Sequence, residues 1–160
     1  LTVTGLPGTT LLISSLRSLA KDYNIIIRPH PISLDQTNYS ELFPESIIDD
    51  VRGGWTNSVA VAELSDIVIA EPTSAIFPII HFLEDIPIVL LQTQRNRYEY
   101  LKDYIMNESM AEVVFVDEAL DEYTFVRAIA AARAMSQLEM VQARKAYFKR
   151  YYGTIDGYEE

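Results

Sequence analysis

The sequence predicts an α/β domain, a doubly wound, Rossmann-like parallel sheet closed by helices at its C-terminal end. Three observations predict it. Short apolar runs alternate along the chain with stretches of helical period. A strand, a helix and a second strand fit within the first 30 or so residues, which is a βαβ unit. The apolar runs are continuous rather than alternating, as strands covered on both faces require.

Thr2–Thr4 reads as the tail of a strand, and Gly5-Leu6-Pro7-Gly8-Thr9-Thr10 as a turn. Leu11, Leu12, Ser15, Leu16, Leu19 and Ala20 then form the stripe of an amphipathic helix, with Thr9 or Thr10 as its N-cap and Asn24 as its close. Ile25-Ile26-Ile27 is a short strand ending in Arg28-Pro29-His30-Pro31. The stretch 32–57 is polar; within it Ser40–Phe43 suits a helical turn, Ile47–Val51 a strand, and Gly53-Gly54 a break. Ser58–Leu64 suits a helix, Asp66–Ala70 a buried strand and Thr73–Leu83 another helix, in which Pro78 implies a kink or a late start. Ile86–Leu91 follows as a strand, Tyr98–Ile105 as a helix and Glu112–Val116 as a strand. Leu120–Leu138 and Val141–Tyr151 are helical, and Gly153 is a natural stop. No linker or repeat divides the chain, so residues 1–160 form one domain.

Composition narrows the function. Hydrophobic residues make up 49% of the 160, enough for a sizeable core. Thirteen basic against 23 acidic residues leave a net charge of -10, which disfavours nucleic acid and anionic lipid surfaces. With no cysteine, thiolate metal sites and cysteine nucleophiles are excluded. Two histidines, His30 and His81, leave little room for a transition metal, and no metal or cofactor is expected. His81 lies in an apolar helical stretch and reads as a packing residue. No apolar run approaches the roughly 18 residues of a membrane span. The sequence opens at Leu1 without a signal peptide and reads as a piece of a longer chain.

In an open parallel sheet, ligands bind beyond the carboxyl ends of the strands, and four such ends are legible. The first is Gly5–Thr10. At the second, Arg28-Pro29-His30-Pro31, two prolines hold a histidine in an extended turn at the ligand-binding edge. At the third, Glu71-Pro72-Thr73-Ser74-Ala75, a strand runs into a helix whose first turn offers N–H groups and hydroxyls to an anion. On that segment alone, Ser74 as a simple helix cap is the plainer reading. The fourth, Gln92–Glu99, carries Arg95 and Arg97, suited to a diphosphate, and Glu99, suited to the hydroxyls of a ribose. Taken separately, it reads as a solvated loop with an arginine paired to Glu99.

Together these pieces resemble the C-terminal, donor-binding half of GT-B-fold transferases, above all the CDP-glycerol glycerophosphotransferases of teichoic acid synthesis. The resemblance rests on the Pro-His-Pro after the second strand, on Ser65–Phe77 and on the aliphatic strand Ile86-Pro87-Ile88-Val89-Leu90-Leu91. A closing segment with Arg144, Phe148, Tyr151, Tyr152, Gly153 and Asp156-Gly157 is also similar to the family's end. It covers about residues 1–157. Three positions depart from the family's Asp-Tyr-Ser-Ser stretch: Glu71 stands for aspartate, Pro72 for tyrosine and Thr73 for the first serine. The loop Gln92–Glu99 is similar to a Thr-Glu-Arg-Pro-Glu stretch of UDP-N-acetylglucosamine 2-epimerases, with Arg97 and Glu99 at the matching places.

The resemblance implies a nucleotide-diphosphate donor, CDP-glycerol or a related CDP-polyol, whose glycerophosphate or glycosyl group passes to a cell-surface polymer. The acceptor would bind on a missing N-terminal half. It implies Thr73 and Ser74 at the diphosphate, Arg97 with Arg95 at the leaving nucleotide, and Glu99 at the ribose. Arg28 and Glu71 belong to the same donor site, and His30 is the catalytic residue, stabilising the donor phosphate or moving a proton. It also implies a cytoplasmic location, with any attachment to the inner face of the membrane residing in the missing portion. Two alternatives stand beside it: a half domain of the 2-epimerase kind, and a Rossmann-like binding module without catalysis.

Overall fold

The computed structural model describes residues 9–30, 34–50, 57–71, 75–92, 110–115 and 122–152. The first helix, α1 (Thr9–Leu19), buries Leu12, Ser15, Leu16 and Leu19, the predicted stripe. It begins two residues earlier than its apolar period, so Thr9 and Thr10 lie inside its first turn rather than before it. Strand β1 (Ile26–Ile27) follows, then α2 (Tyr39–Leu42) and β2 (Ile47–Ile48). The Asn38 side chain accepts from the Glu41 N–H at 3.3 Å and starts α2. At the other end of α2, Arg17 Nε donates to the Leu42 carbonyl, placing a cation on the unpaired carbonyls of a helix C-terminus.

Next come α3 (Ser58–Glu63), β3 (Val68–Ala70), α4 (Ile76–Phe82) and β4 (Ile88–Gln92). Asn57 caps α3 by accepting from the Ala60 N–H at 2.8 Å. Pro78 resolves as a late start: α4 begins at Ile76, so the proline occupies the first turn, where its missing N–H costs nothing. Strand β5 (Glu112–Phe115) and helices α5 (Glu122–Ala134) and α6 (Gln137–Tyr152) complete the described elements. The helix expected over Leu120–Leu138 divides at Met135-Ser136. Ser136 Oγ accepts from the Glu139 N–H at 3.4 Å and its carbonyl accepts from Met140, which starts α6. The spacing Ser136-x-x-Glu139 is a capping-box signal that a reading of apolar period alone passes over. The strand Thr2–Thr4, the helix Tyr98–Ile105 and the stop at Gly153 lie outside the described residues.

All described strand pairs are parallel. β1 pairs with β2, and β3-β4-β5 form a three-stranded sheet with β4 in the middle. β4 is buried along its whole length, and its side chains divide between two clusters. Val89 and Leu91 pack with Leu12, Leu16 and Leu19 of α1 and Phe125, Ala128, Ile129 and Ala132 of α5; Ile27 of β1 and Tyr39 of α2 join them. Ile88 and Leu90 pack with Ala62 of α3, Ile76, Ile79 and Ile80 of α4, and Tyr147 of α6. Each fully buried Leu, Ile or Phe contributes about 1.5–3 kcal/mol, so these two layers dominate the fold's stability. β3, expected to be buried, is half-buried; among the described residues it is an end strand of its sheet. The fold is therefore α/β with parallel sheets and helices packed against them. Among the described residues, no helix is long and apolar enough to cross a membrane.

The packing of α6 depends on an arginine. Met140, Arg144 and Tyr147 lie on its buried stripe, and Arg144 is 1% exposed. Its guanidinium donates to the carbonyls of Leu83, Glu84, Ile86 and Met110 through five bonds of 2.7–3.3 Å. That fork ties α6 to the connection between α4 and β4 and to the entry of β5. Burial lowers the Arg144 pKa to about 10, offset in part by Asp85 and Glu84, and the group stays charged at neutral pH.

Candidate functional site

Parallel pairing puts the carboxyl ends of neighbouring strands at one edge of each sheet, and of the polar residues singled out in the sequence Arg28, His30 and Glu71 follow such ends. Past β1, Arg28 Nη1 donates to Asp49 Oδ2, just past β2, at 2.5 Å. The side chains are 24% and 17% exposed, so this pair is partly shielded from solvent. Arg28 therefore spends part of its hydrogen-bonding capacity within the fold. Pro29 is buried and fixes the chain where it leaves β1, and His30 is exposed one residue further on. Pro31 lies outside the described residues.

Beside this pair, at the carboxyl end of β2, opens a cleft of about 470 Å³ lined by Asp35, Thr37, Tyr39, Ile48 and Asp50 among others. Its described charges are acidic, and Asn38 at its rim is engaged in capping α2. Sequence reasoning assigned no role to this stretch.

Glu71 follows the last residue of β3. Its Oε1 is buried and meets no hydrogen-bond partner. Burial pushes the carboxyl from an ordinary 4.5 up to about 7, because charge is costly where water is excluded. Such a group exchanges a proton near neutrality, a property shared by residues at functional sites. Thr73 and Ser74 lie outside the described residues. The helix after them starts at Ile76, with Ala75 as a cap that makes no side-chain bond. The expected helix beginning at Thr73 is thus corrected, the reason being Pro78, which is tolerated only in a first turn.

Gln92 ends β4 and is 2% exposed, and its Nε2 is buried without a partner. The sequence placed it at a strand end and gave it no function. The signal was present: an amide closing a wholly apolar strand has to be satisfied by something other than core side chains. Arg95, Arg97 and Glu99 lie outside the described residues. His81 is exposed, with its ring 4.8 Å from Phe82 and 5.0 Å from Phe148, so it packs on aromatic neighbours at the surface. Among the described residues no group of three or more His, Cys, Asp or Glu side chains could hold a metal ion.

No family model, no curated protein and no solved structure matches the chain.

Proposed function

We propose that this chain is the donor-binding half of a GT-B-type transferase, which holds a nucleotide diphosphate such as CDP-glycerol across the carboxyl edge of a Rossmann-like sheet. The observation that carries the proposal is Glu71. It is a half-buried carboxyl with one buried, unpartnered oxygen at the carboxyl end of a parallel strand, within the stretch that resembles the family's donor site. The strand order supports the same reading. A doubly wound sheet runs outward in both directions from its first strand, and the parallel sets β1-β2 and β3-β4-β5 are compatible with two wings of such an order. Glu71 follows β3 at the carboxyl end of its strand, the edge where ligands of such an architecture bind.

In this reading Thr73, Ser74, Arg95 and Arg97 hold the diphosphate, and Glu99 takes the ribose. His30, exposed at the end of β1, stabilises the donor phosphate or moves a proton as the group is transferred. Arg28, held by Asp49, fixes the backbone that presents His30. Catalysis is then positioning and fixed electrostatics, with the acceptor supplied by a second half.

The test is ligand-induced stabilisation of the 160-residue chain. CDP-glycerol at 100 times its dissociation constant is expected to add about 2.7 kcal/mol of stability, a rise in Tm of about 5–10 °C. UDP-N-acetylglucosamine is the comparison. A response to that ligand alone would favour an epimerase-like half, and no response to either would refute nucleotide binding.

A further inference from the structure

Helices α5 and α6 are consecutive in the chain but are held by different forces. α5 packs against α1, β4 and β5, with Phe125, Ala128, Ile129 and Ala132 buried in the layer around Val89 and Leu91. α6 packs chiefly on α4. Of its described side chains Met140, Arg144 and Tyr147 are buried, while Leu138 is 68% exposed. Tyr147 stacks on Phe77 with ring centroids 6.2 Å apart, and Phe148 meets His81 at 5.0 Å. The Arg144 fork adds the carbonyls of the connection after α4, at Leu83, Glu84 and Ile86, and that of Met110 before β5.

These two kinds of attachment respond differently to separation. Removing α5 exposes a continuous apolar stripe to water, and nothing replaces what is lost. Removing α6 returns the guanidinium and its carbonyl partners to water, which replaces most of their hydrogen bonds, so the net gain from docking is modest. The exposed pair of Lys145 and Glu84, 3.0 Å apart, adds little for the same reason. A helix of 16 residues standing alone is marginal in water, so α6 unwinds once it leaves. Helical winding already stops at Met135-Ser136, which lets α6 leave without disturbing α5.

We infer that α6 is a strap: it docks on α4 and releases from it as a unit, while α1, β4 and α5 stay folded. Arg144 holds the docked state together. Release uncovers the connection into β4 and the entry of β5, at the amino ends of those strands and away from the edge assigned to the ligand. The strap therefore stands or falls separately from nucleotide binding.

The test is amide hydrogen exchange of the 160-residue chain, followed by NMR where the rate reports the opening equilibrium. The central amides of α6, from Ala143 to Phe148, are compared with those of β4, which keeps fraying at the helix ends out of the comparison. In wild type the α6 amides are expected to exchange at least tenfold faster than those of β4, relative to their rates in the unfolded chain. Leu12→Ala is expected to speed β4 exchange tenfold or more and to leave α6 unchanged, because its cavity weakens the docked and released states alike. Ile129→Val makes the same comparison at a smaller cost in stability. Arg144→Met, which weakens the docked state alone, is expected to speed α6 exchange tenfold or more. Equal protection of α6 and β4 in wild type overturns the strap. So does a Leu12→Ala or Ile129→Val variant in which both accelerate by the same factor, since α6 then opens only with the whole fold. Unchanged α6 exchange in Arg144→Met overturns it as well, because the clamp then does not hold the helix.

Discussion

Replacing Arg144 with methionine removes the guanidinium fork while keeping a long apolar stem in the same groove. The cost can be worked from its contacts. Of the four carbonyls it serves, Leu83 retains the Ile86 N–H as a donor at 3.2 Å, whereas Glu84, Ile86 and Met110 lose theirs. Each buried acceptor left unsatisfied costs about 1 kcal/mol or slightly more, against which the variant no longer has to desolvate a cation. Arg144→Met is therefore expected to lose about 3 kcal/mol, a large share of the roughly 5–15 kcal/mol that holds a typical domain together. In a chain of this size that lowers Tm by about 6–12 °C, read by calorimetry or by the urea midpoint at unchanged slope. Arg144→Lys separates charge from geometry. An ammonium has three donors on one atom and cannot span carbonyls presented by two separate segments, so lysine is expected to be no better than methionine. Arg144→Met melting within about 2 °C of wild type, or lysine restoring full stability, would refute the clamp.

Two further outcomes follow from the strand ends. Glu71 has a folded pKa of about 7, above its ordinary 4.5, so the folded state holds the extra proton between these values and wild-type stability falls as pH rises through that window. Glu71→Gln is expected to match wild type near pH 4 and to exceed it by about 1–2 kcal/mol at pH 8, a figure reduced for the carboxyl's partial exposure; urea midpoints at the two pH values check this. For Arg28 and Asp49, a double-mutant cycle with Arg28→Met and Asp49→Asn is expected to give a coupling of about 1 kcal/mol, since the pair is partly shielded; a value near zero would mean that solvent screens it fully.

What the sequence determined by itself is what short-range physics controls. The α1 stripe from Leu12 to Leu19 repeats at the helical period, and Ile88–Leu91 and Glu112–Phe115 alternate with helices as parallel strands must. Pro78 announced either a kink or a late helix start, since a proline's constraint acts within one turn, and the structure decides for the late start at Ile76. The collection of Arg28, His30 and Glu71 at strand ends was legible too, because β-strands and their exits are marked by neighbouring residues. The division of the last helix at Ser136 was written locally, but in cap chemistry rather than in apolar period.

Only the tertiary structure decided which polar groups are satisfied. On a helical wheel Arg144 is one more cation in a basic helix; it becomes a buried clamp because its carbonyl partners lie 34 to 61 residues earlier in the chain. Asp49 holds Arg28 across 21 residues through the pairing of β1 with β2. Gln92 and Glu71 differ from ordinary surface amides and carboxyls only because packing excludes water from atoms that the fold leaves without partners. Period and capping are set by a few adjacent residues, whereas desolvation depends on every segment that closes over a group, and no local pattern encodes that closure.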